Sequence, residues 1–346
     1  MPLVPPVAER GSVGLILPPR LPSDLPGSSG STSGKNRGST IGTTEELQRT
    51  CRDAEALGAS ALWAVDHLFW ATPMLECLTT LTVAATATTR AMLGSCVLQL
   101  PLRQPAAVAK QAAAIQLLSG GRFVLGVGVG RHRGEYEMAG VDFSRRGRLL
   151  DDGLAELRRA WDSAGDAAVP YRQEPAAPPV PVWVGGSSDA ARRRAATSAD
   201  GWVPLFLAPT ELASSLEQLR AEVAAAGRPA AAVTPAVVVM VAVGRERKVH
   251  ERGTRWLSSL YGIPPKAFDR HLVAGPAEHC ASRLDEYVDA GAEHVVVMVA
   301  DDRPLDHFAE LVGALRPAVP PGPAGDGVVR PDLADPVRPD LVEVGV

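Results

Sequence analysis

The 346-residue sequence has few aromatic residues (5%), only four cysteines and no run of one charge sign. The cysteines, Cys51, Cys77, Cys96 and Cys280, lie far apart and form no C-x-x-C pair. That spacing argues against a zinc site and against a disulfide framework, so no metal is expected and reduced thiols fit best. Lys and Arg number 35 against 39 Asp and Glu, and the two signs are well mixed. No basic face is visible, and nucleic acid is not an expected partner. No apolar run approaches the ~20 residues needed to cross a bilayer, which speaks against a membrane partner. The opening "MPLVPPVAERGS" has three prolines and no continuous apolar stretch, and is not read as a signal peptide. The expectation is a soluble, cytoplasmic protein.

What the sequence does have is apolar mass, 46% of residues, in a repeating pattern. Short β-rich runs occur at 13–18, 61–66, 93–100, 122–130, 180–186, 201–205, 236–243 and 294–300. Their nearly continuous apolarity suits strands buried on both faces, as in parallel sheets. Helical patterns separate most of them. Thr43 to Glu46 reads as a capping box, and Gly58 sits where that helix should end. Leu150, Leu154 and Leu157 share one helical stripe. Eight strands with helices between them predict an α/β fold of the (β/α)₈ barrel type. An open doubly wound sheet fits less well, because its phosphate fingerprint would come early in the chain. The barrel should occupy residues 1–316 as one domain. Within it, 18–43 ("PPRLPSDLPGSSGSTSGKNRGSTIGT") reads as a long Gly/Ser/Pro loop after the first strand. Residues 317–346 read as a Pro-rich, disordered tail.

In such a barrel the active site lies at the C-terminal ends of the strands. Asp66 and His67 close the second strand and should point into the mouth. A carboxylate beside an imidazole can fix its tautomer and suit it to proton transfer. Trp70 would wall a planar ligand. The competing reading makes Asp66 a helix cap and leaves His67 merely exposed. Ser95 and Cys96 are small residues inside an apolar strand, which suits either a flat ligand or tight helix packing. Cys96 has no visible base beside it and is not read as a nucleophile. Gly126, Gly128 and Gly130 recur at every second position and bare one strand face to a ring or to another backbone. At Val184-Gly185-Gly186-Ser187 a strand runs through a glycine turn into an Ala-rich helix, an arrangement that binds anions such as phosphate. Ser187 or Ser188 would add a hydroxyl. Arg192 to Arg194 read as a solvated helix face, and His132 and His250 carry no ligand spacing.

Together these stretches resemble the bacterial luciferase-like superfamily of flavin and deazaflavin oxidoreductases. The matching segments are "LWAVDH", the region from "LGSCVLQL" to "GVGVG", "PVWVGGSSDAARRRAATSADGWVP" and "VAGPAEHCASRLDEYVDAGAEHVVV". The resemblance implies a (β/α)₈ barrel, commonly a homodimer, with the ring of the cofactor in the mouth. The branch most similar is the actinobacterial one that uses coenzyme F420, a deazaflavin. It implies that Asp66 and His67 lie by the cofactor and substrate, with His67 and Asp66 catalytic. It places Trp70 and Arg131 in the substrate pocket. It puts a bulge, often with a non-prolyl cis peptide, at Ser95-Cys96-Val97 behind the ring, and the cofactor phosphate at Gly185-Gly186. The sugar-phosphate dehydrogenases of that branch carry a catalytic Glu where this chain has Arg131, so their chemistry is not copied closely. Glu135, four residues on, matches a family Glu read as structural. The implied activity is hydride transfer between F420 and a small organic substrate. The alternatives are a reduced-FMN monooxygenase that uses O₂, and a non-catalytic flavin-binding accessory protein.

Overall fold

The apolar runs form parallel strands because each can bury both faces, one against helices and one inside a barrel. In the computed structural model, which describes residues 12–18, 43–70 and 72–315, these are β1 (Ser12–Ile16), β2 (Ala61–Ala64), β3 (Met92–Ser95), β4 (Leu98–Gln99), β5 (Phe123–Gly128), β6 (Val182–Gly185), β7 (Gly201–Val203), β8 (Thr234–Val243), β9 (Leu272–Gly275) and β10 (His294–Val299). The order β1-β2-β3-β5-β6-β7-β8-β10 closes on itself, since β10 pairs with both β8 and β1. Every pairing is parallel, so all C-terminal strand ends share one rim. The chain therefore folds as a (β/α)₈ barrel.

Two details differ from the sequence pattern. The third run breaks at a cis Cys96–Val97 peptide into β3 and β4, which pair with successive parts of β5. A further strand, β9, pairs with the upper half of β8 beyond the reach of β7. Its "LVAG" is only four residues long and runs straight into Pro276, too short to read as a strand. The expected loop at 18–43, apart from its end residues, and the expected tail at 317–346 lie outside the described residues.

The helices cover the barrel. They are α1 (Thr44–Ala56), α2 (Cys77–Ala87), α3 (Pro105–Leu118), α4 (Arg133–Met138), α5 (Arg146–Asp162), α6 (Asp189–Ser198), α7 (Pro209–Ala225), α8 (Val249–Tyr261), α9 (Ala277–Asp289) and α10 (Pro304–Ala314). Thr43 caps α1 through the reciprocal Thr43–Glu46 box, and Gly58 follows its end at φ +99°. Leu150, Leu154 and Leu157 are the buried stripe of α5. Arg192 is not solvated as expected. It is buried and bonded to Glu222 and Asp189, because α6 turns that face toward α7.

The lower half of the barrel interior is filled by Trp63 and Trp183, whose rings lie 5.3 Å apart. Glycines make their room: a Cβ on Gly94 would fall 2.1 Å from the Trp63 ring, and one on Gly201 2.4 Å from Trp183. Trp63 Nε1 donates to His294 Nε2 at 3.1 Å, and His294 Nδ1 pairs with Ser12 Oγ at 2.6 Å. Burial pushes the His294 pKa down from 6.5 to about 3. A group with a depressed folded pKa contributes stability above its unfolded pKa and withdraws it as the pH falls toward the folded one. His294→Gln should therefore be less stable than the native chain at neutral pH, by about 1–3 kcal/mol. The gap should narrow by about 1 kcal/mol or more as pH falls from 6.5 toward 3. Urea unfolding of both proteins across that range tests this; a gap that stays constant contradicts it.

No described helix is long and apolar enough to cross a membrane. Among the described residues, no three His, Cys, Asp or Glu side chains gather to hold a metal ion.

Candidate active site in the barrel mouth

Strand geometry decides which side chains reach the mouth. Along β2 and its continuation, Trp63 and Val65 pack in the barrel interior while Ala64 packs outward. Alternation then sends Asp66 outward and His67 back in. The structure follows this rule. The Asp66 side chain is fully buried between strand and helix layer, where Arg103 grips it with two bonds of 2.7 Å. The Gln99 backbone N–H donates a third, at 2.8 Å. Burial pushes this carboxyl above the usual aspartate range, while Arg103 and the Gln99 N–H pull it back. Asp66 thus does not hold His67, contrary to expectation, and has no face toward the mouth.

The partner of His67 is Glu135, from α4. His67 Nδ1 lies 2.9 Å from Glu135 Oε2. The same carboxylate accepts the backbone N–H groups of Leu68 (2.9 Å) and Phe69 (3.3 Å) and the Gln99 amide (3.2 Å). Burial opposes ionisation of Glu135, but the bonds and charge of His67, with the Phe69 N–H and Gln99, outweigh it and hold the pKa below the ordinary value. An ionised Glu135 places the proton on Nδ1 and leaves Nε2 for a ligand. The other face of the site is aromatic. His67 stacks on Trp70 at 3.6 Å between ring centroids. His132 meets Trp70 edge-on at 4.5 Å and His67 at 5.7 Å. Trp70 Nε1 donates to the Leu260 carbonyl at 2.8 Å, tying the β2 loop to the end of α8. Trp70 therefore supports His67 with its ring, and His67, Trp70 and His132 form one aromatic cluster on the wall of the mouth.

These residues, with Arg131, line a cavity of about 1300 Å³ between the loops after β2 and β5 and the C-terminus of α8. Exposed Leu68, Phe69 and Met138 form an apolar lip. His132 Nε2 is buried there without a hydrogen-bond partner, and burial lowers the His132 pKa. His132 carries no spacing signal; only its place just past the C-terminal end of β5 marks it.

The other expected residues divide by direction. Cys96 and Val97 pack in the upper interior, and burial pushes the Cys96 thiol up to about 12, so it stays neutral. Ser95 is fully buried, bonded to the Gly126 carbonyl at 2.8 Å, and Val184 faces the helix layer, so neither side chain reaches the mouth. The bare glycine face receives protein, not a ring. A Cβ on Gly126 would meet the Ser95 carbonyl at 2.0 Å, and Cβ atoms on Gly128 and Gly185 would meet Val97 at 2.6 and 2.7 Å. On Gly130 the same atom would meet Gln99 at 2.0 Å. At the rim Gly186 is exposed with φ +109°, at the entry to α6. The Ser187 hydroxyl bonds both the Leu205 carbonyl and its N–H, and Ser188 caps α6, so both hydroxyls are engaged within the protein.

The sequence pattern described as luciferase-like monooxygenase matches residues 22–259. This chain belongs to the luciferase-like monooxygenase family. Its superfamily is one of oxidoreductases. A curated relative, the phthiodiolone/phenolphthiodiolone dimycocerosates ketoreductase of Mycobacterium tuberculosis, is 31% identical over 205 residues, which are 54% of this chain and 53% of the relative. The chain thus spans about half the length of the curated relatives it matches. Among solved structures, an F420-dependent secondary alcohol dehydrogenase in complex with an F420-acetone adduct superposes with a TM-score of 0.70 at 17% identity, covering 88% of this chain and 99% of that one. A riboflavin lyase with modified FMN and riboflavin superposes at 0.61 and 14% identity, covering 78% and 84%. At these identities the superpositions speak to the luciferase-like barrel alone.

Proposed function

We propose that this luciferase-like protein is an F420-dependent oxidoreductase that interconverts a carbonyl and an alcohol on a small organic substrate. The observation that carries the reading is the imidazole of His67, held by Glu135 through Nδ1 and stacked on Trp70, with Nε2 left for a ligand in the mouth. The names of the ketoreductase and of the alcohol dehydrogenase above support the carbonyl–alcohol pair and the deazaflavin.

The residues present fit such a cofactor. The upper interior offers an apolar bed at Cys96 and Val97, and the exposed Gly186 turn at the start of α6 suits a phosphate. A bound deazaflavin would supply the hydride-carrying ring. The protein then has to manage one proton. An alcohol oxygen carries a proton that a ketone oxygen lacks, and His67 is placed to give or take it at Nε2. Glu135 stabilises the charged imidazolium and fixes the ring, while Trp70 fixes its plane. The guanidinium of Arg131 on the rim favours a negatively charged group of substrate or cofactor.

Difference-absorbance titration of the purified protein tests the cofactor. F420 should bind at least about tenfold more tightly than FMN, a difference of about 1.4 kcal/mol. Tighter FMN binding would transfer the reading to a reduced-flavin monooxygenase. Tight F420 binding without turnover of any ketone or secondary alcohol would favour a non-catalytic accessory role.

A further inference from the structure

One buried amide connects Asp66 with Glu135. Gln99 closes β4, in register with Gly128 of β5, and its side chain is buried. Its backbone N–H donates to Asp66 Oδ2 at 2.8 Å, and Arg103 holds the same carboxylate. The main chain at Gln99 is thereby fixed from the Asp66 side. The amide reaches the other way. Nε2 donates to the Asp66 carbonyl at 3.2 Å, and to Glu135 at 3.2 Å (Oε1) and 3.3 Å (Oε2). One amide hydrogen thus serves the carbonyl, and the other is shared by both oxygens of Glu135.

The neighbours set the orientation of this amide. Three acceptor oxygens surround Nε2, so the reversed amide would turn its own oxygen on all three. In the bonded orientation Oε1 is buried without a partner among the described residues. It also needs room from Gly130, where a Cβ would fall 2.0 Å away and φ is +66°. A buried acceptor without a donor destabilises a fold, and most such groups are paired. An apolar side chain of the same length would have no such orphan. Packing alone therefore gives no reason for an amide here, whereas a donor lying across both Glu135 oxygens does.

We propose that Gln99 is a positioning residue that sets the proton affinity of His67 by sharing the charge of Glu135. The inference rests on the proton role given to His67 above. Oε2 of Glu135 faces His67 Nδ1 at 2.9 Å, and the Leu68 and Phe69 N–H groups hold Oε1 alone. The Gln99 donor brings partial positive charge to both oxygens. It keeps the carboxylate ionised, and it offsets part of the negative charge that the imidazolium feels. The imidazolium is then a readier acid at Nε2 than one facing an unshared carboxylate. The other charged or titratable groups near the ring do not bond Gln99. Arg131, Arg133 and Glu137 line the cavity, and His132 meets His67 at 5.7 Å. Asp66, which does bond Gln99, is paired with Arg103.

Gln99→Met keeps the length of the side chain and removes the donor. The ring resonances of His67, assigned with His67→Asn, are followed by NMR across the histidine range in the full chain without cofactor. Gln99→Met should bind the His67 proton about 3- to 10-fold more tightly than the native protein, the scale of one hydrogen bond to a charged group. A merely structural role predicts the opposite sign, because a loosened Glu135 would hold the imidazolium less well. Glu135→Gln should weaken proton binding, and in that background Gln99→Met should have no further effect. Gln99→Asn, whose amide falls one methylene short of Glu135, should shift the titration in the same direction as Gln99→Met and serves if that variant does not fold. The proposal is overturned by an unchanged or weakened proton affinity in the folded Gln99 variants. It is equally overturned by a rise that persists in the Glu135→Gln background. The titration needs neither F420 nor turnover, so failure of the oxidoreductase reading would show in the cofactor measurements and leave this result standing.

Discussion

His67→Ala is expected to lower kcat about 10² to 10⁴-fold, the usual contribution of a positioned acid–base group. Cofactor affinity should change far less, because the imidazole is tied to Glu135 and Trp70 and not to the Gly186 rim. His67→Asn separates proton transfer from simple contact. An amide can keep a hydrogen bond to Glu135 and to a ligand, but it does not titrate in the working range. Asn should therefore be nearly as slow as Ala. Glu135→Gln should sit between native and His67→Ala, since it keeps a bonding partner for Nδ1 but loses the charge that stabilises an imidazolium. Steady-state kcat and a separate cofactor Kd for the three variants give the answer. A His67→Asn enzyme with near-native kcat would end the proton role and leave His67 as a ligand contact.

The second large effect falls on stability. Arg103→Met should cost about 3–5 kcal/mol, because it strands the Asp66 carboxylate in a site where its side chain has no exposure. The loss is much larger than that of a surface pair, which is typically below about 1 kcal/mol. A second substitution tests the cause. Asp66→Asn in the Arg103→Met background removes the buried charge and should recover part of the deficit. The pH dependence has a definite sign. Burial raises the folded-state pKa of Asp66, and losing Arg103 removes the main force pulling it down. A carboxyl whose folded pKa is raised favours the folded state at low pH and loses that advantage as pH rises. The deficit of Arg103→Met should thus shrink as the pH is lowered toward the carboxylate range. Urea unfolding at several pH values measures this, and a deficit under about 1 kcal/mol would show that Asp66 is solvated. The same variant should slow turnover, since Asp66 adjoins His67 and fixes the start of its loop.

The strands were legible in the sequence because a parallel barrel demands continuous apolar runs, and "AVVVMVAV" and "HVVVMVA" have little else to be. The α1 cap and the α5 stripe were legible for the same kind of reason: they are set by residues three or four apart. The expectation of a site at the strand ends followed from the fold class alone. The partners inside the site were not legible. Asp66 and His67 are neighbours in the chain, and adjacency suggested a couple. Strand alternation turns them to opposite sides, and the true partners come from 37 residues away for Asp66 and 68 for His67. Those distances have no signature in a single sequence, because they are set by which strand ends meet around the rim. The glycines show the same division. Their spacing announced a bared strand face, but only the closed barrel brought Val97 and the Ser95 carbonyl into that space instead of a ring. His132 and Gln99 are ordinary polar residues in the sequence. Each becomes notable only when the fold buries a polar atom with nothing to bond, a property of three-dimensional packing that no local pattern encodes.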